Sequence, residues 1–303
     1  MSNFNNNAYQ SLVTDLIGDT FYKDTSVSGR ISFVRKYAEV VIRKILDIDP
    51  NKAVTLGAKN IQNRIKNLPS HEFIEAAVET VRGKGNQSTH TQYLEGFDLE
   101  DFDNVVDGLF DMLSYLLIRY FEKYEFGSRN DVLYSFSMLP PIIRYKVLAF
   151  LHKKYPENIS IIDKLVLATV KAFNVDEATE WVEREKNALI KMGTVTEKAF
   201  NEIAEKKGME IAEIIRNTSP ANMYILCKMR ISEVGDMVNS RGVLYSDFES
   251  VLPHYKSKGI LIGDDLETME FNDIMNFLYM GRKEKIREIS NESNPYVILN
   301  FIS

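Results

Sequence analysis

The sequence predicts an all-α protein, mainly packed helices, with at most a small β element. Three observations carry this. Glycine and proline are sparse, 15 and 8 in 303 residues, too few for the many turns of an all-β design. Apolar residues recur at three- and four-residue spacing in run after run, which is the period of a helix face. Short β-like text appears only at GVLYSDF and KGILIG.

The elements follow in order. Residues 1–27 form a mixed leading segment with an Asn-rich start. A helix begins near Ser28 or Gly29, with Phe33, Val34, Tyr37, Val41 and Ile45 on one face, and Pro50 ends it. Thr55 is expected to cap a short helix, LGAKNIQNRIKNL, that stops at Pro69. HEFIEAAVETV is a third helical run, and it meets two glycines. Phe102, Val106, Leu109, Leu113, Leu116 and Tyr120 then alternate steps of four and three, broadened by Val105, Phe110 and Leu117. A helix of that pattern is roughly 20 residues and 30 Å long, and it must lie against other helices or a twin copy of itself.

GSRND (127–131), short, polar and headed by glycine, is the expected boundary. Residues 28–126 then form a bundle of four or five helices, and 127–303 form a second, mostly helical domain. Pro140 and Pro141 suit a helix entry. IIDKLVLATVKAF and VDEATEWVEREKNALIKMG continue the helical text, with Trp181 as a core anchor. Thr194–Glu197 and Ser246–Glu249 have the spacing of capping boxes.

Composition narrows the function. The apolar fraction of 45% and charged fraction of 26% are those of an ordinary globular protein. A net charge of -6 argues against non-specific wrapping of nucleic acid, although it allows a local basic pocket. The one cysteine, Cys227, rules out an intrachain disulfide or a cysteine-based zinc site, and MYILCKM reads as a buried small hydrophobe. No metal or cofactor is expected. The first residues carry no basic stretch before an apolar run, and no segment reaches the ~18 apolar residues of a membrane span. A cytoplasmic location is the expectation. No phosphate-loop, HExxH or GxSxG signature occurs.

One stretch stands apart, VRGKGNQSTH (81–90). Arg82, Asn86 and His90 are spaced by four and four. On a continuous helix they share a face; in a helix that starts at Asn86, that residue is the N-cap and Arg82 comes from the preceding loop. Either way a guanidinium, an amide and an imidazole converge. That set suits phosphodiester chemistry: His90 moves a proton, Arg82 neutralises charge on the phosphoryl oxygens, and Asn86 orients. Lys84 is a second cation. A polar helix–helix turn with His90 exposed fits the same letters. The other histidines read as an exposed helix start (His71), a helix end whose dipole suits a cation (His152) and a loop without a readable partner (His254).

Taken together, SFVRKYAEVVIRKIL, TLGAKNIQNRIKNL, VRGKGNQSTH and the long apolar helix resemble the DUF4145-type helical domain of the HEPN superfamily, over roughly 28–126. The resemblance implies a helical bundle that dimerises through its long helix, here about 100–124. It also implies metal-independent cleavage of RNA to a 2′,3′-cyclic phosphate in active members, and a setting of bacterial or phage conflict, as toxin or abortive-infection factor. Gly85, Asn86 and His90 match the motif. Arg82 and His90 enclose seven residues, where the family's Arg and His enclose four to six. Arg35 and Glu39 match the family's Arg-and-Glu helix, with Glu39 placed to orient Arg82 or His90; the plainer expectation for them is an exposed ion pair. Inactive members bind RNA, nucleotides or proteins, so an interaction module remains the alternative. In the second half, Arg144, Lys146, Lys153 and Lys154, with Tyr145 and Tyr155, form a basic and aromatic run that could hold RNA or be a solvated face.

Overall fold

The structure, a computed structural model, describes residues 4–88 and 96–285, and every regular element in them is helical. Among the described residues the β-like text at 242–248 and 258–263 forms no strand. Five helices come first: α1 (Asn6–Ile17), α2 (Val27–Ile45), α3 (Lys59–Lys66), α4 (His71–Gln87) and α5 (Leu99–Lys123). Next are α6 (Asn130–Phe136), α7 (Pro141–Lys154), α8 (Ile159–Ala172), α9 (Val175–Arg184) and α10 (Lys186–Leu189). The last are α11 (Glu197–Lys207), α12 (Met209–Thr218), α13 (Met223–Arg241), α14 (Phe248–His254) and α15 (Leu266–Tyr279).

The chain divides into two units, one of residues 1–123 and 262–283, the other of 124–261 and 284–303. This differs from the expected division in two ways. The leading segment, set apart in the sequence, supplies α1 to the first unit. Residues 262–283, expected in the second domain, return to the first as α15. Contacts with α5 hold it there: Tyr120 packs on Phe271 at 5.1 Å, and Lys123 pairs with Glu270 at 2.7 Å. Deeper in, the Lys44 ammonium, 5% exposed, meets Asp273 at 2.6 Å and Asn6 at 3.2 Å.

In the first unit α5 packs against α2, α4 and α15, and its residues from Met112 to Ile118 are all buried. Gly108 lets α4 come close, since a Cβ there would lie 3.1 Å from Thr80 Cγ2. Val106 and Phe110, expected in the seam, are only half-buried, while Val105 and Met112 are fully enclosed. The Tyr115 hydroxyl, buried beside Phe73, donates to the Pro69 carbonyl.

The second unit has its own core where α8, α9 and α13 meet, around Ile162, Val166, Cys227 and Val234. Burial pushes the Cys227 thiol up to about 12, so the sulfur behaves as a hydrophobe. Trp181 packs half-buried against this core. Helix starts depart from the expected letters by a residue or two. Thr196, not Thr194, caps α11, accepting from Ala199 N at 3.1 Å, while the Thr194 hydroxyl donates to Pro220 O at 2.7 Å. Asp247, not Ser246, caps α14, in a box closed by Ser250. Likewise α3 starts at Lys59 behind Ala58, after a turn at Thr55.

Candidate functional site

Helix α4 runs through Gly83 and Gly85 to Gln87. It continues because its inward positions Ile74, Ala77, Val78, Val81 and Gly85 are all buried, which outweighs the ~1 kcal/mol that each glycine costs a helix. Arg82 and Asn86 therefore lie one turn apart on one face. His90 lies outside the described residues.

The surroundings of Arg82 are built by α2 and the 56–57 turn. Arg35 of α2 lays its stem across Gly85, where a Cβ would stand 2.8 Å from Arg35 Cδ and 3.0 Å from its Cβ. Its Nη1 donates to the Gly85 carbonyl at 3.2 Å. Glu39, one turn further along α2, is half-buried against the Leu56 backbone N–H. Burial holds its carboxyl above the usual range, opposed by Arg35 and Arg43. The neighbouring Gly57 faces Arg82, whose Cδ and Nη1 lie 3.5 Å from where its Cβ would be. Arg35, Glu39, the 56–57 turn and Arg82 thus form one continuous patch on the first unit.

Arg82 is held by a fork: Nε and Nη2 donate to the two oxygens of Glu79 at 2.9 and 2.8 Å. The carboxylate on Arg82 is accordingly Glu79 of its own helix. The pair is open, with side chains 35% and 61% exposed. Lys84, two residues on and round the helix, pairs with Asp101 of α5 at 2.5 Å, which raises the lysine and lowers the aspartate. The end of α4 is pinned to α2 by serines. Ser88 donates to Gly85 O at 3.0 Å, its hydroxyl meets Ser32 at 3.1 Å, and Ser28 donates to its carbonyl at 3.3 Å. The chain leaves α4 from a fixed point.

The basic run of the second unit does not form one face. Arg144 turns inward to line a cavity, Lys146 is half-buried, and Lys153 and Lys154 are exposed on other sides of α7. Tyr145 packs edge-on to Phe173 at 4.7 Å. His152, expected as a helix-end cation, is half-buried against Trp181 at 5.3 Å, and burial lowers its pKa. His254 ends α14 stacked on Tyr245 at 5.9 Å, so it has the partner that its sequence neighbours did not show. Two residues escaped the sequence reading altogether. Lys164 and Lys171 line the same cavity as Arg144. Their signal was available: two lysines seven apart, hence on one face, in the otherwise apolar run IIDKLVLATVKAF.

Among the described residues no cluster of three or more His, Cys, Asp or Glu could hold a metal ion, and no helix is long and apolar enough to cross a membrane. Comparison with protein-family models, curated proteins and solved structures finds no match for this chain.

Proposed function

We propose that the first unit is a HEPN-like helical module that cleaves RNA by the metal-independent route. The observation that carries this reading is the continuity of α4 to Gln87, which sets Arg82 and Asn86 on one face and leads directly into the stretch that holds His90. Of the pair that the family resemblance marks, Arg35 abuts the same end of α4 through Gly85, and Glu39 lies one turn along α2 against Leu56 of the neighbouring turn. In the reaction His90 takes the proton of a ribose 2′-hydroxyl, whose oxygen attacks the adjacent phosphorus. The 5′-oxygen leaves and takes a proton, giving a 2′,3′-cyclic phosphate and a 5′-hydroxyl. Arg82 neutralises the charge that gathers on the phosphoryl oxygens, and Asn86 orients the ribose. To do so Arg82 exchanges Glu79 for phosphate. An exposed pair is worth about 0–1 kcal/mol, so the exchange costs little. Pairing of two copies through α5 is left the edge with Val106 and Phe110, since 112–118 is covered within the chain.

A second reading, an inactive module that binds a protein or RNA, is favoured by one observation. Arg82 and Lys84 already hold carboxylates, so this edge carries little net charge. Incubation of the full chain with total RNA in EDTA separates the two readings. Cleavage to 2′,3′-cyclic ends by wild type and not by His90→Ala is expected. RNA left intact by both, with measurable binding of RNA or a protein to wild type, replaces the enzyme by the binding module.

A further inference from the structure

The second unit contains a cavity of about 160 Å³, between α6, α7, α8, α13, α14 and the loop at 242–245. Its wall has two characters. Helices α7 and α8 present Arg144, Lys164 and Lys171 beside Leu148 and Leu167. From α13, the loop and α14 come Val234, Val238, Leu244 and Val251. The other polar groups are Tyr134, Tyr245, His254 and Ser137, whose hydroxyl is spent on the Tyr134 carbonyl at 2.6 Å.

The cations do not make this an anion site. Each of the three is engaged within the protein. Lys164 meets Asp163 at 3.1 Å, and Asp163 is shared with Arg230 at 3.0 Å. Helix α14, which lines the cavity, also brings the buried carboxylate of Glu249. Charge around the wall is met by charge, and what is left unfilled is apolar volume. Protein interiors leave few voids larger than a water molecule. An apolar cavity of about 150 Å³ stays dry and holds benzene, so this one has room for one ring.

One end of the cavity is aromatic and polar. Tyr245 stacks on His254, 13° from parallel, and Tyr134 meets the same imidazole edge-on at 6.3 Å. The Tyr134 hydroxyl stands 3.5 Å from His254 Nε2, the outer limit of a hydrogen bond, so that nitrogen keeps capacity for a closer partner. Burial, with Lys258 nearby, holds the imidazole below its usual range, which keeps it neutral at pH 7. Tyr134 is 42% exposed, and this end therefore reaches solvent.

We propose that this cavity binds an uncharged molecule of one aromatic ring with a hydroxyl, of the phenol class. The ring fills the apolar volume against Val234, Val238 and Val251, and the hydroxyl bonds His254 Nε2. An anionic ligand would have to break an interaction that already holds Arg144, Lys164 or Lys171, and an ammonium would face all three. A bare ring fits the volume but leaves Nε2 unused. The cavity lies wholly in the second unit, and the inference does not depend on the reading of the Arg82 edge.

The test is calorimetric titration of the full chain with phenol, benzene, benzoate and phenyl phosphate. Wild type should bind one phenol, about fivefold more tightly than benzene and at least about tenfold more tightly than benzoate or phenyl phosphate. Val238→Phe fills the space and should weaken phenol by at least about tenfold. His254→Phe keeps an aromatic ring beside Tyr245; it should bind benzene as wild type does and bring phenol down to the same level. No saturable binding of phenol by wild type overturns the proposal, as does benzoate or phenyl phosphate binding as tightly as phenol. So does phenol affinity unchanged in Val238→Phe, or an advantage over benzene that survives in His254→Phe. If Val238→Phe does not fold, the order of the four ligands and His254→Phe decide it.

Discussion

The two glycines of α4 should respond to alanine with opposite signs. At Gly83 nothing lies within 4 Å of where a Cβ would stand, so Gly83→Ala adds helix propensity without a clash. It should stabilise the chain by about 0.5–1 kcal/mol. Gly85→Ala gains the same propensity but drives a methyl to 2.8 Å from Arg35 Cδ and 3.0 Å from Arg35 Cβ. The Cβ is fixed to the α2 backbone, so it cannot swing aside as a side-chain tip does. Either α2 and α4 separate, or Arg35 gives up its bond to the Gly85 carbonyl. Overpacking of this kind costs about 1–3 kcal/mol, and after the propensity gain the net loss should be about 1 kcal/mol, up to roughly 2.5. Thermal unfolding of the two variants reads the difference as several degrees, roughly 2–4 °C per kcal/mol at this size. Arg35→Ala beside Gly85→Ala should recover part of the loss, which identifies the clash as the cause. If Gly85→Ala stabilises as much as Gly83→Ala, the account of why a glycine stands at 85 is wrong.

Two further outcomes follow from buried charge. Lys171→Met should stabilise the chain at neutral pH. A drop from 10.5 to about 8 corresponds to about 3 kcal/mol at 1.36 kcal/mol per unit, or roughly 6–12 °C. The folded state bears that cost fully below pH 8. Above it the unfolded chain holds the proton that the folded chain has lost, so wild-type stability recovers and the gap closes towards pH 10.5; a gap that persists there contradicts the assignment. Asp273→Ala should lower the melting temperature by leaving the Lys44 ammonium without its carboxylate, at a cost of about 1–2 kcal/mol once the half-exposure of Asp273 is allowed for. An unchanged melting temperature would show that Asn6 and water suffice for Lys44.

The helical class and most helix positions were legible because they rest on local pattern. The stripe Val34, Tyr37, Val41, Ile45 and the Pro140–Pro141 entry each encode their element within one or two turns. Caps were legible to a residue or two. Ser246 and Asp247 are both able to cap, and the choice fell to Asp247 because Ser250 could close the box with it. What failed depends on distant partners. The text of α15 does not show that Phe271 meets Tyr120 or that Asp273 meets Lys44, since those residues stand 151 and 229 positions upstream. At the candidate site, the four-residue spacing of Arg82 and Asn86 was readable. The pairing of Arg82 with Glu79 lies in the same text, at i,i+3. Arg144 was found as part of a basic run, but its inward turn came from the pairing of α7 with α8, which the letters of α7 do not contain.

The most direct measurement sets the two halves of the Arg82–Glu79 pair against each other. Full-length Glu79→Gln and Arg82→Gln are compared with wild type for RNA cleavage in EDTA and for RNA affinity. If Arg82 is the phosphate ligand and Glu79 its competitor, Glu79→Gln frees the guanidinium and raises cleavage and affinity, by up to about fivefold for a pair worth up to about 1 kcal/mol. Arg82→Gln lowers both. Equal small losses of stability with RNA handling unchanged in either variant would make the pair a surface ion pair only, and the reading of this edge as an RNA site would fall with it.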